Sequence, residues 1–261
     1  MQDSYEEFKR DVFQLTKIDL NAYKERQMKR RIDTLIGKNN ITLYKEYVDL
    51  LKRDKDKYEE FVNYLTINVS EFYRNPEQWK ILESAVFPSL FEKFGKKLKI
   101  WSAACSTGDE PYSLVMVLSK FIPLNMIEVI ATDIDKQVLA QAKAGLYTDK
   151  SLKGLPKEYI DKYFEKINDK TYAVSDEIKS RVKFQQHNLL KDEYPKDCDL
   201  IVCRNVMIYF TEEAKLEIYK KFNAALKPGA ILFVGSTEQM VQPKTLGFQA
   251  IHSFFYQKNE N

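Results

Sequence analysis

Residues 99–113 read KIWSAACSTGDEPYS, and this stretch decides the fold. It opens as a strand, continues through a run of small side chains and reaches two acids, Asp109 and Glu110. Pro111 then favours the first turn of a helix, where its fixed φ fits and its missing N–H is not needed. A strand that turns tightly into a helix is the opening unit of an open α/β sheet. Ligands bind such sheets beyond the carboxyl ends of the strands.

The hydrophobic period changes along the chain on either side of this stretch. Before it, apolar residues recur at helical spacing, as at Met28, Ile32 and Leu35. After it, short apolar runs such as 199–203 alternate with helical patterns. This alternation predicts a parallel sheet with helices on both faces, and residues 146–180 interrupt it as an insertion. We therefore predict an α/β fold preceded by a helical segment.

Local signals predict where several elements begin and end. Gly37 should end the helix that precedes it, and Asn75 should cap the helix that Pro76 opens. The Pro-Gly pair at 228–229 should stop a helix. Residues 251–256 should form a single last strand.

The composition excludes several classes of protein. Only 8 glycines occur in 261 residues, and no two are spaced as G-x-G or G-x4-G-K. This excludes a P-loop and a G-x-G-x-x-G nucleotide turn. A net charge of +3, from 41 basic and 38 acidic residues, is too balanced for bulk binding of nucleic acid. No apolar run exceeds five residues, so we expect no segment to span a membrane.

Other features bear on the compartment and on metals. Residues 1–7, MQDSYEE, lack the basic-then-apolar pattern of a secretory signal. The 3 cysteines show no C-x-x-C spacing and fit free thiols in a reducing cytosol. With only 2 histidines, a histidine-rich metal site is not expected. We expect a cytoplasmic protein without a metal site.

Two acids at predicted strand ends indicate the ligand. Glu110, at a helix start, would repel a phosphate and attract an ammonium group. Asp133 ends the next strand, where a carboxylate often accepts hydrogen bonds from ribose hydroxyls. A ligand with a ribose and an ammonium but no phosphate is S-adenosylmethionine. The structural alternatives are a well-capped turn for Glu110 and a helix cap for Asp133 together with Asp135.

The strand over 199–203 leads into Arg204 and Asn205, which interrupt an apolar run at the predicted cleft. A buried, ion-paired arginine is the structural alternative here.

Four stretches resemble, in their order and in their sequences, the CheR-type chemotaxis receptor methyltransferases: NVSEFYR at 68–74, WSAACSTGDEPYS at 101–113, ATDID at 131–135 and CRNVMIYF at 203–210. The likeness runs over nearly the whole chain.

The resemblance implies a Rossmann-like, S-adenosylmethionine-dependent methyltransferase domain with a small β-subdomain insertion, preceded by a small all-α domain. The expected limits are 1–75 for the helical, receptor-facing domain and 76–261 for the methyltransferase domain, with the β-subdomain around 146–186. The implied activity is that of a protein-glutamate O-methyltransferase (EC 2.1.1.80). It transfers methyl groups to glutamate carboxylates of methyl-accepting chemotaxis receptors for sensory adaptation and releases S-adenosylhomocysteine. A cytoplasmic monomer is expected, without nucleic acid or membrane insertion.

The resemblance also assigns site residues one by one. Arg74 and Tyr209 match the pair closest to the transferring methyl group and are the expected catalytic residues. His187 and His252 match no catalytic position and are interpreted as structural. The expected cofactor-binding residues are Asn68, Ser70 and Arg74 from the interdomain stretch, Glu110 at the methionine end, Asp133 at the ribose, Asn188 and Leu189 at the adenine, and Arg204 and Asn205 at the amino-acid part.

A basic helix lies N-terminal to these motifs. With Met28 and Ile32 facing inward, Arg26 and Arg30 should face outward. Such a face is usually a solvated surface, but a glutamate-rich receptor bundle would make it a docking surface. The expected receptor-binding residues are Lys24, Arg26, Lys29, Arg30 and Arg31.

The insertion departs from one part of the family pattern. In members that dock on a C-terminal peptide tether of the receptor, the β-subdomain hairpin is longer and contains glycine. Here the corresponding hairpin, over residues 163–174, is short, and its INDK stretch at 167–170 has no glycine. A tether-independent enzyme is therefore expected.

Two other functions would use the same fold. A nucleic-acid methyltransferase would carry an Asn/Asp-Pro-Pro-Tyr motif or a Pro-Cys nucleophile near the fourth strand, where this chain has Arg-Asn-Val at 204–206. A non-catalytic module that binds S-adenosylmethionine would have lost Arg74 or Tyr209, and both are present.

Overall fold

The computed structural model describes residues 4–260. The first three residues of the N-terminal stretch 1–7 lie outside this range. The chain divides into two compact units. The helical unit comprises the chain up to Asn68 together with Tyr209–Leu216. The sheet unit comprises Val69–Ile208 together with the chain from Glu217 onward. The predicted domain limit between residues 75 and 76 stays a prediction.

The helical unit is built from amphipathic helices. Its helices are α1 (Tyr5–Thr16), α2 (Glu25–Lys38), α3 (Tyr44–Arg53) and α4 (Lys55–Thr66). Their apolar stripes bury Phe8, Ile32, Tyr47 and Phe61 completely or almost completely. Burial of each large apolar side chain contributes roughly 1.5–3 kcal/mol to folding. Packing rather than helix propensity therefore stabilises these helices.

The prediction that Gly37 ends its helix is wrong. The helix α2 continues to Lys38, and Asn39 is its C-cap. A glycine C-cap is favoured where the chain needs a positive φ. Gly37 has none, and therefore it lies within the last turn.

A later segment of the chain completes the helical unit. Tyr23 pairs with Phe210 in an isolated antiparallel bridge. The Lys24 N–H donates to the Tyr209 carbonyl at 2.9 Å, and the Thr211 N–H donates to the Ala22 carbonyl at 2.9 Å. These bonds hold Tyr209 within the unit that carries the basic helix.

The sheet unit has a mostly parallel central sheet. Its strands are β1 (Ile100–Ala103), β2 (Val129–Asp133), β6 (Val182–Gln186), β7 (Cys198–Cys203), β8 (Leu226–Val234), β9 (Phe248–His252) and β10 (Phe255–Lys258). The strand order is β6-β2-β1-β7-β8-β10-β9. The first five strands are parallel, and β10 and β9 add antiparallel to the edge. Strands β1 and β7 are buried along their whole length, as their apolar sequences predict.

In the described chain, two further α-helices precede β1, and the others lie between β1 and β8. They are α5 (Pro76–Ile81), α6 (Phe87–Phe94), α7 (Asp109–Leu118), α8 (Lys136–Ala144), α9 (Asp149–Leu152), α10 (Lys157–Tyr163), α11 (Asp176–Lys179) and α12 (Glu212–Ala225). No helix among the described residues is both long enough and apolar enough to cross a membrane.

The insertion forms a small antiparallel sheet, as predicted. Its strands are β3 (Leu146–Thr148), β4 (Phe164–Asn168) and β5 (Thr171–Val174), in the order β3-β5-β4. A two-residue turn at 169–170 joins β4 to β5, and the Asn168 side chain accepts the Lys170 N–H at 3.0 Å. An Asx turn therefore closes this hairpin where glycine is absent.

Two predictions about the C-terminal strands are wrong. The Pro-Gly pair at 228–229 lies inside β8 and does not stop a helix, because α12 already ends at Ala225. The register between β7 and β8 is irregular at this point, which gives room for a proline without N–H and for Gly229 at φ 76°. The expected single strand over 251–256 is two antiparallel strands, with Phe254 in the turn at φ 72°.

Candidate cofactor site and active site

The strand order brings the predicted site residues to one edge of the sheet. Strand β1 pairs with β2 on one side and with β7 on the other. The chain continues from β1 to Glu110, from β2 at Asp133, and from β7 to Arg204. The order reverses between β1 and β7, and ligands bind open α/β sheets at such a point.

The turn after β1 has an unusual backbone. Ala104, Ser106 and Gly108 all have positive φ, of 63°, 49° and 89°. A Cβ on Gly108 would lie 2.9 Å from the Cβ of Ala142, so only glycine fits. The Ser106 hydroxyl is buried without a hydrogen-bond partner, and it is therefore a polar group that a ligand could satisfy.

Asp133 is held by the turn that it faces. One carboxylate oxygen accepts the Ser106 N–H at 2.8 Å, and the other accepts the Asp135 N–H at 3.0 Å. The residue is 6% exposed. Desolvation raises the pKa of this carboxyl to about 6, against the lowering effect of its backbone hydrogen bonds. A carboxylate has about four lone-pair sites, so it can still accept hydrogen bonds from a ribose.

Glu110 and Arg204 form a long, buried ion pair. Glu110 accepts a hydrogen bond from the Ser102 hydroxyl at 2.8 Å, and its other oxygen lies 3.5 Å from Nη1 of Arg204. Burial raises the pKa of the glutamate and lowers the pKa of the arginine. The carboxylate is thus incompletely neutralised and could bind an ammonium group.

Arg204 also supports the segment that carries Arg74. Its Nη2 lies 2.7 Å from the Arg74 carbonyl, 3.0 Å from Oδ1 of Asn75 and 2.8 Å from Oε1 of Gln78. The Trp79 indole N–H donates to the same Arg74 carbonyl at 2.9 Å. Arg204 Nε is buried without a partner. The structural alternative, a buried and ion-paired arginine, therefore describes the Nη1 and Nη2 atoms of Arg204. Its Nε could donate to a ligand.

The predicted capping role of Asn75 is wrong. The residue has φ 62°, and its side chain makes no cap hydrogen bond to the helix that Pro76 opens. Its amide oxygen instead accepts from Arg204. The side chain thus serves a partner that is remote in sequence.

The stretch from Ser70 to Arg74 is anchored to the sheet unit at several points. The Phe72 N–H donates to the Ser151 carbonyl at 3.1 Å, and the Tyr73 N–H donates to the Ser113 hydroxyl at 3.1 Å. Arg74 Nη1 donates to the Val69 carbonyl at 3.1 Å. Tyr73 has φ 54°, which is uncommon for an aromatic residue. Ser70 hydrogen-bonds Asp109, and burial raises the pKa of this aspartate.

The predicted adenine residues follow β6. The His187 N–H donates to the Asp133 carbonyl at 2.9 Å, which places Asn188 beside the end of β2. Asn188 Oδ1 accepts the Leu190 N–H at 2.9 Å, and the Tyr194 hydroxyl donates to the Leu189 carbonyl at 2.7 Å. The His187 ring packs edge-on against Trp101, and His252 is exposed at the end of β9.

Asn68 and Tyr209 belong to the helical unit. Asn68 Nδ2 donates to the Thr66 hydroxyl at 2.8 Å. Tyr209 lines a cavity of about 240 Å³ that belongs wholly to this unit. The other residues that line the cavity are Lys24, Gln27, Met28, Arg30, Arg31 and Ile67.

The basic residues of α2 differ in their environments. Arg26 and Arg30 are exposed, as predicted. Lys29 pairs with Asp33 at 3.0 Å. Arg31 donates from Nη2 to the Tyr64 carbonyl at 2.6 Å and stacks on that ring, while its Nε is buried without a partner.

Glu238 and Gln78 are polar partners of the site that sequence reasoning missed. Glu238 accepts the Asn205 N–H at 2.6 Å, and Gln78 accepts from Arg204. Each is remote in sequence from its partner, so no local pattern reveals it. Among residues 4–260, no group of three His, Cys, Asp or Glu side chains is arranged to hold a metal ion.

Two family models match the chain. The CheR methyltransferase all-alpha domain matches residues 3–66, and the CheR methyltransferase SAM binding domain matches residues 68–254. The chain belongs to the CheR methyltransferase family. As such it is an S-adenosylmethionine-dependent methyltransferase. Glu110, Asp133 and the Ser106 hydroxyl fit this cofactor, because they offer acceptors and a donor that the protein leaves incompletely used.

Curated relatives of this CheR methyltransferase extend over nearly its whole length. A chemotaxis protein methyltransferase of Listeria innocua is 40% identical over 99% of this chain and 98% of its own. Another, of Borreliella burgdorferi, is 31% identical over 93% of this chain and 89% of its own. A TehB-like SAM-dependent methyltransferase structure from Corynebacterium glutamicum aligns with TM-score 0.38 at 16% identity, over 70% of this chain and 92% of that one.

Proposed function

We propose that this CheR methyltransferase methylates glutamate side chains of methyl-accepting chemotaxis receptors. The names of the relatives link them to chemotaxis. The observation that carries the proposal is the basic cavity beside Tyr209. Lys24, Arg30 and Arg31 line it, and these three cations form no ion pair among the described residues. A cavity lined by three cations favours an acidic acceptor.

A glutamate acceptor simplifies the chemistry. Its carboxyl has an ordinary pKa of about 4.3, so it is ionised at neutral pH and needs no general base. When bound, S-adenosylmethionine supplies an electrophilic methyl group. A carboxylate oxygen of the acceptor would form the new bond to the methyl carbon, and the electron pair of the broken carbon–sulfur bond would stay on sulfur. Placement of the reacting groups in line can supply roughly 7–11 kcal/mol of the barrier reduction.

We assign Arg74 and Tyr209 to the acceptor. A guanidinium and a phenolic hydroxyl can hold a carboxylate with directed hydrogen bonds. These donors must not bind it too tightly, because the acceptor loses negative charge in the transition state. The anchored carbonyl of Arg74 supports this role, since it fixes where the side chain begins.

The proposed cofactor contacts follow the chemistry of each group. Asp133 accepts from the ribose, Glu110 binds the ammonium, and Arg204 with Asn205 binds the amino-acid part. We assign Asn188 and Leu189 to the adenine, and Asn68, Ser70 and Arg74 to the stretch that covers the cofactor.

We assign receptor docking to α2 within a receptor-facing domain over 1–75, ahead of a methyltransferase domain over 76–261. Arg26 and Arg30 are its exposed cations, and the cavity beside them holds Lys24 and Arg31. The short, glycine-free hairpin between β4 and β5 supports docking without a receptor tether. The proposed enzyme acts as a cytoplasmic monomer.

Mass spectrometry of a receptor cytoplasmic fragment tests the acceptor. After incubation of the fragment with the enzyme and S-adenosylmethionine, we expect peptides that gain one methyl group on glutamate. Methylation at the same rate on a fragment that lacks its C-terminal tether supports tether independence. Methyl groups found on lysine or arginine instead would contradict the proposal.

A further inference from the structure

Glu238 carries a buried carboxylate in the loop after β8. The residue is 5% exposed, and it forms no ion pair among the described residues. Burial raises the pKa of its carboxyl, and the groups that oppose this rise are backbone N–H groups. A buried charge without a counter-ion is costly unless it is hydrogen-bonded, so its hydrogen bonds need an explanation.

The carboxylate gathers N–H groups from two loops. Oε2 accepts the Asn205 N–H at 2.6 Å and the Gly235 N–H at 2.9 Å. Oε1 accepts the Ile208 N–H at 3.3 Å. Converging N–H groups of this kind usually bind a phosphate or another external anion. Here the protein supplies the anion itself.

The surrounding backbone depends on this arrangement. Asn205 has φ 62°, a left-handed conformation that asparagine adopts more readily than most residues, and its N–H bond to Glu238 is made in this conformation. A Cβ on Gly235 would lie 2.4 Å from Glu238 Oε2 and 2.8 Å from the Asn205 nitrogen. The loop after β7 therefore packs directly on the carboxylate, with no room for a larger residue at 235.

We propose that Glu238 is a positioning residue of the cofactor site. Its carboxylate fixes the backbone over 205–208 and thereby the side chains of Arg204 and Asn205. The inference rests on the proposed cofactor contacts of those two residues. Only an ionised carboxylate can accept from three N–H groups without presenting a donor, because a glutamine would turn its NH₂ toward some of them.

The variant Glu238→Gln tests this role. We expect its Kd for S-adenosylhomocysteine to rise about tenfold or more, because buried N–H groups lose their acceptor. At saturating S-adenosylmethionine, kcat should fall about 100-fold, the effect expected from a misplacement of about 1 Å. Titration calorimetry and receptor methylation measure the two quantities.

Asp199→Asn is the matched control. Asp199 is also a buried carboxylate, on β7, and it accepts the Lys99 N–H at 2.7 Å and a hydrogen bond from Lys227 at 2.8 Å. Asp199 lies near the start of β7, whereas Arg204 follows the end of that strand. This control should lower the melting temperature but leave Kd and kcat unchanged. The comparison separates lost positioning from lost stability.

Other results would overturn the proposal. One is a folded Glu238→Gln protein whose Kd and kcat stay within twofold of wild type. If that variant does not fold, Gly235→Ala should raise Kd in the same way, and an unchanged Kd contradicts the proposal. In the wild-type protein, the Asn205 and Ile208 amides should exchange slowly with solvent, and fast exchange also contradicts it. Cofactor affinity needs no receptor, so a failure of glutamate methylation alone would leave this test intact.

Discussion

Asp133 is the residue on which cofactor affinity should depend most clearly. Its carboxylate already accepts two backbone N–H bonds and is buried without an ion pair among the described residues. Asp133→Ala should weaken binding of S-adenosylhomocysteine by about 1.5–3 kcal/mol, because a charged acceptor is lost. Titration calorimetry measures this loss. An affinity equal to wild type in a folded variant would remove Asp133 from the site.

The raised pKa of Asp133 also predicts a pH dependence. In the cofactor-free protein this carboxyl has a pKa of about 6, because burial opposes its ionisation. Hydrogen bonds from a ribose favour the ionised form, so below this pKa binding must displace a proton. The affinity should therefore fall about tenfold from pH 7 to pH 5. Asp133→Ala should lose this part of the dependence. An equally steep slope in the variant would assign it to other buried acids, such as Glu110.

Tyr209 and Arg74 should differ in the step that they affect. Tyr209→Phe keeps the ring and removes one donor, so kcat should fall while cofactor affinity changes little. Arg74→Ala should damage both kcat and affinity, since we assign it to both substrates. Steady-state kinetics and calorimetry separate the two effects. Full turnover by Tyr209→Phe would argue against a role for its hydroxyl.

Residue-level prediction placed side chains correctly where a strand end fixes their position, and their roles in binding stay predictions. Glu110 and Asp133 follow buried parallel strands, and the strand order brings both to one edge of the sheet. It failed where a partner comes from a remote segment. Arg204 lies 126 residues from Gln78, and Asn205 lies 33 residues from Glu238. Only the folded chain brings such pairs together.

At the scale of elements, α2 is the part of the helical unit that we expect to meet the receptor. Arg26 and Arg30 are exposed on it and do not belong to the hydrophobic core. Exposed ion pairs contribute only about 0.2–1 kcal/mol each and act mainly on association. Arg26→Glu with Arg30→Glu should therefore raise KM for receptor, most strongly at low salt.

A double reversal on α3 is the control for this prediction. Lys52→Glu with Arg53→Glu changes the net charge equally, on residues that are also exposed. If α2 is the docking element, the α3 variant should retain most of the wild-type KM. Equal effects of both variants at each salt concentration would mean that only net charge matters.

Element prediction was accurate where hydrophobic periodicity is strong and inaccurate where turn chemistry decides. The apolar run over 199–203, for example, is part of a strand in the structure, β7 (Cys198–Cys203). The signals at Gly37 and at 228–229 were misread, because glycine and proline also occur inside elements. At 228–229 a strand irregularity accommodates them. The hairpin of β9 and β10 was missed because Phe254, which is not a typical turn residue, occupies the positive-φ position.

At the scale of the whole molecule, the family assignment identifies the helical segment and the α/β fold as two domains of one methyltransferase family. Periodicity alone describes them as unrelated segments. The sequence pattern predicts an α/β fold with an insertion, and both are confirmed. It could not predict that Tyr209–Leu216 returns to the helical unit, because the pattern around it matches the sheet unit. This return places Tyr209 in one cavity with α2. Such long-range pairings depend on the folded chain and have no local signal.

The proposed function requires that the methyl acceptor is a carboxylate. The most direct measurement uses receptor membranes, the enzyme and S-adenosylmethionine with a tritiated methyl group. Carboxyl methyl esters release methanol in base, whereas N-methyl groups do not. We expect label in the receptor that becomes volatile after alkali, and loss of this label when Arg74→Ala replaces the wild-type enzyme. Label that resists alkali, or no label with active wild-type enzyme, would contradict it.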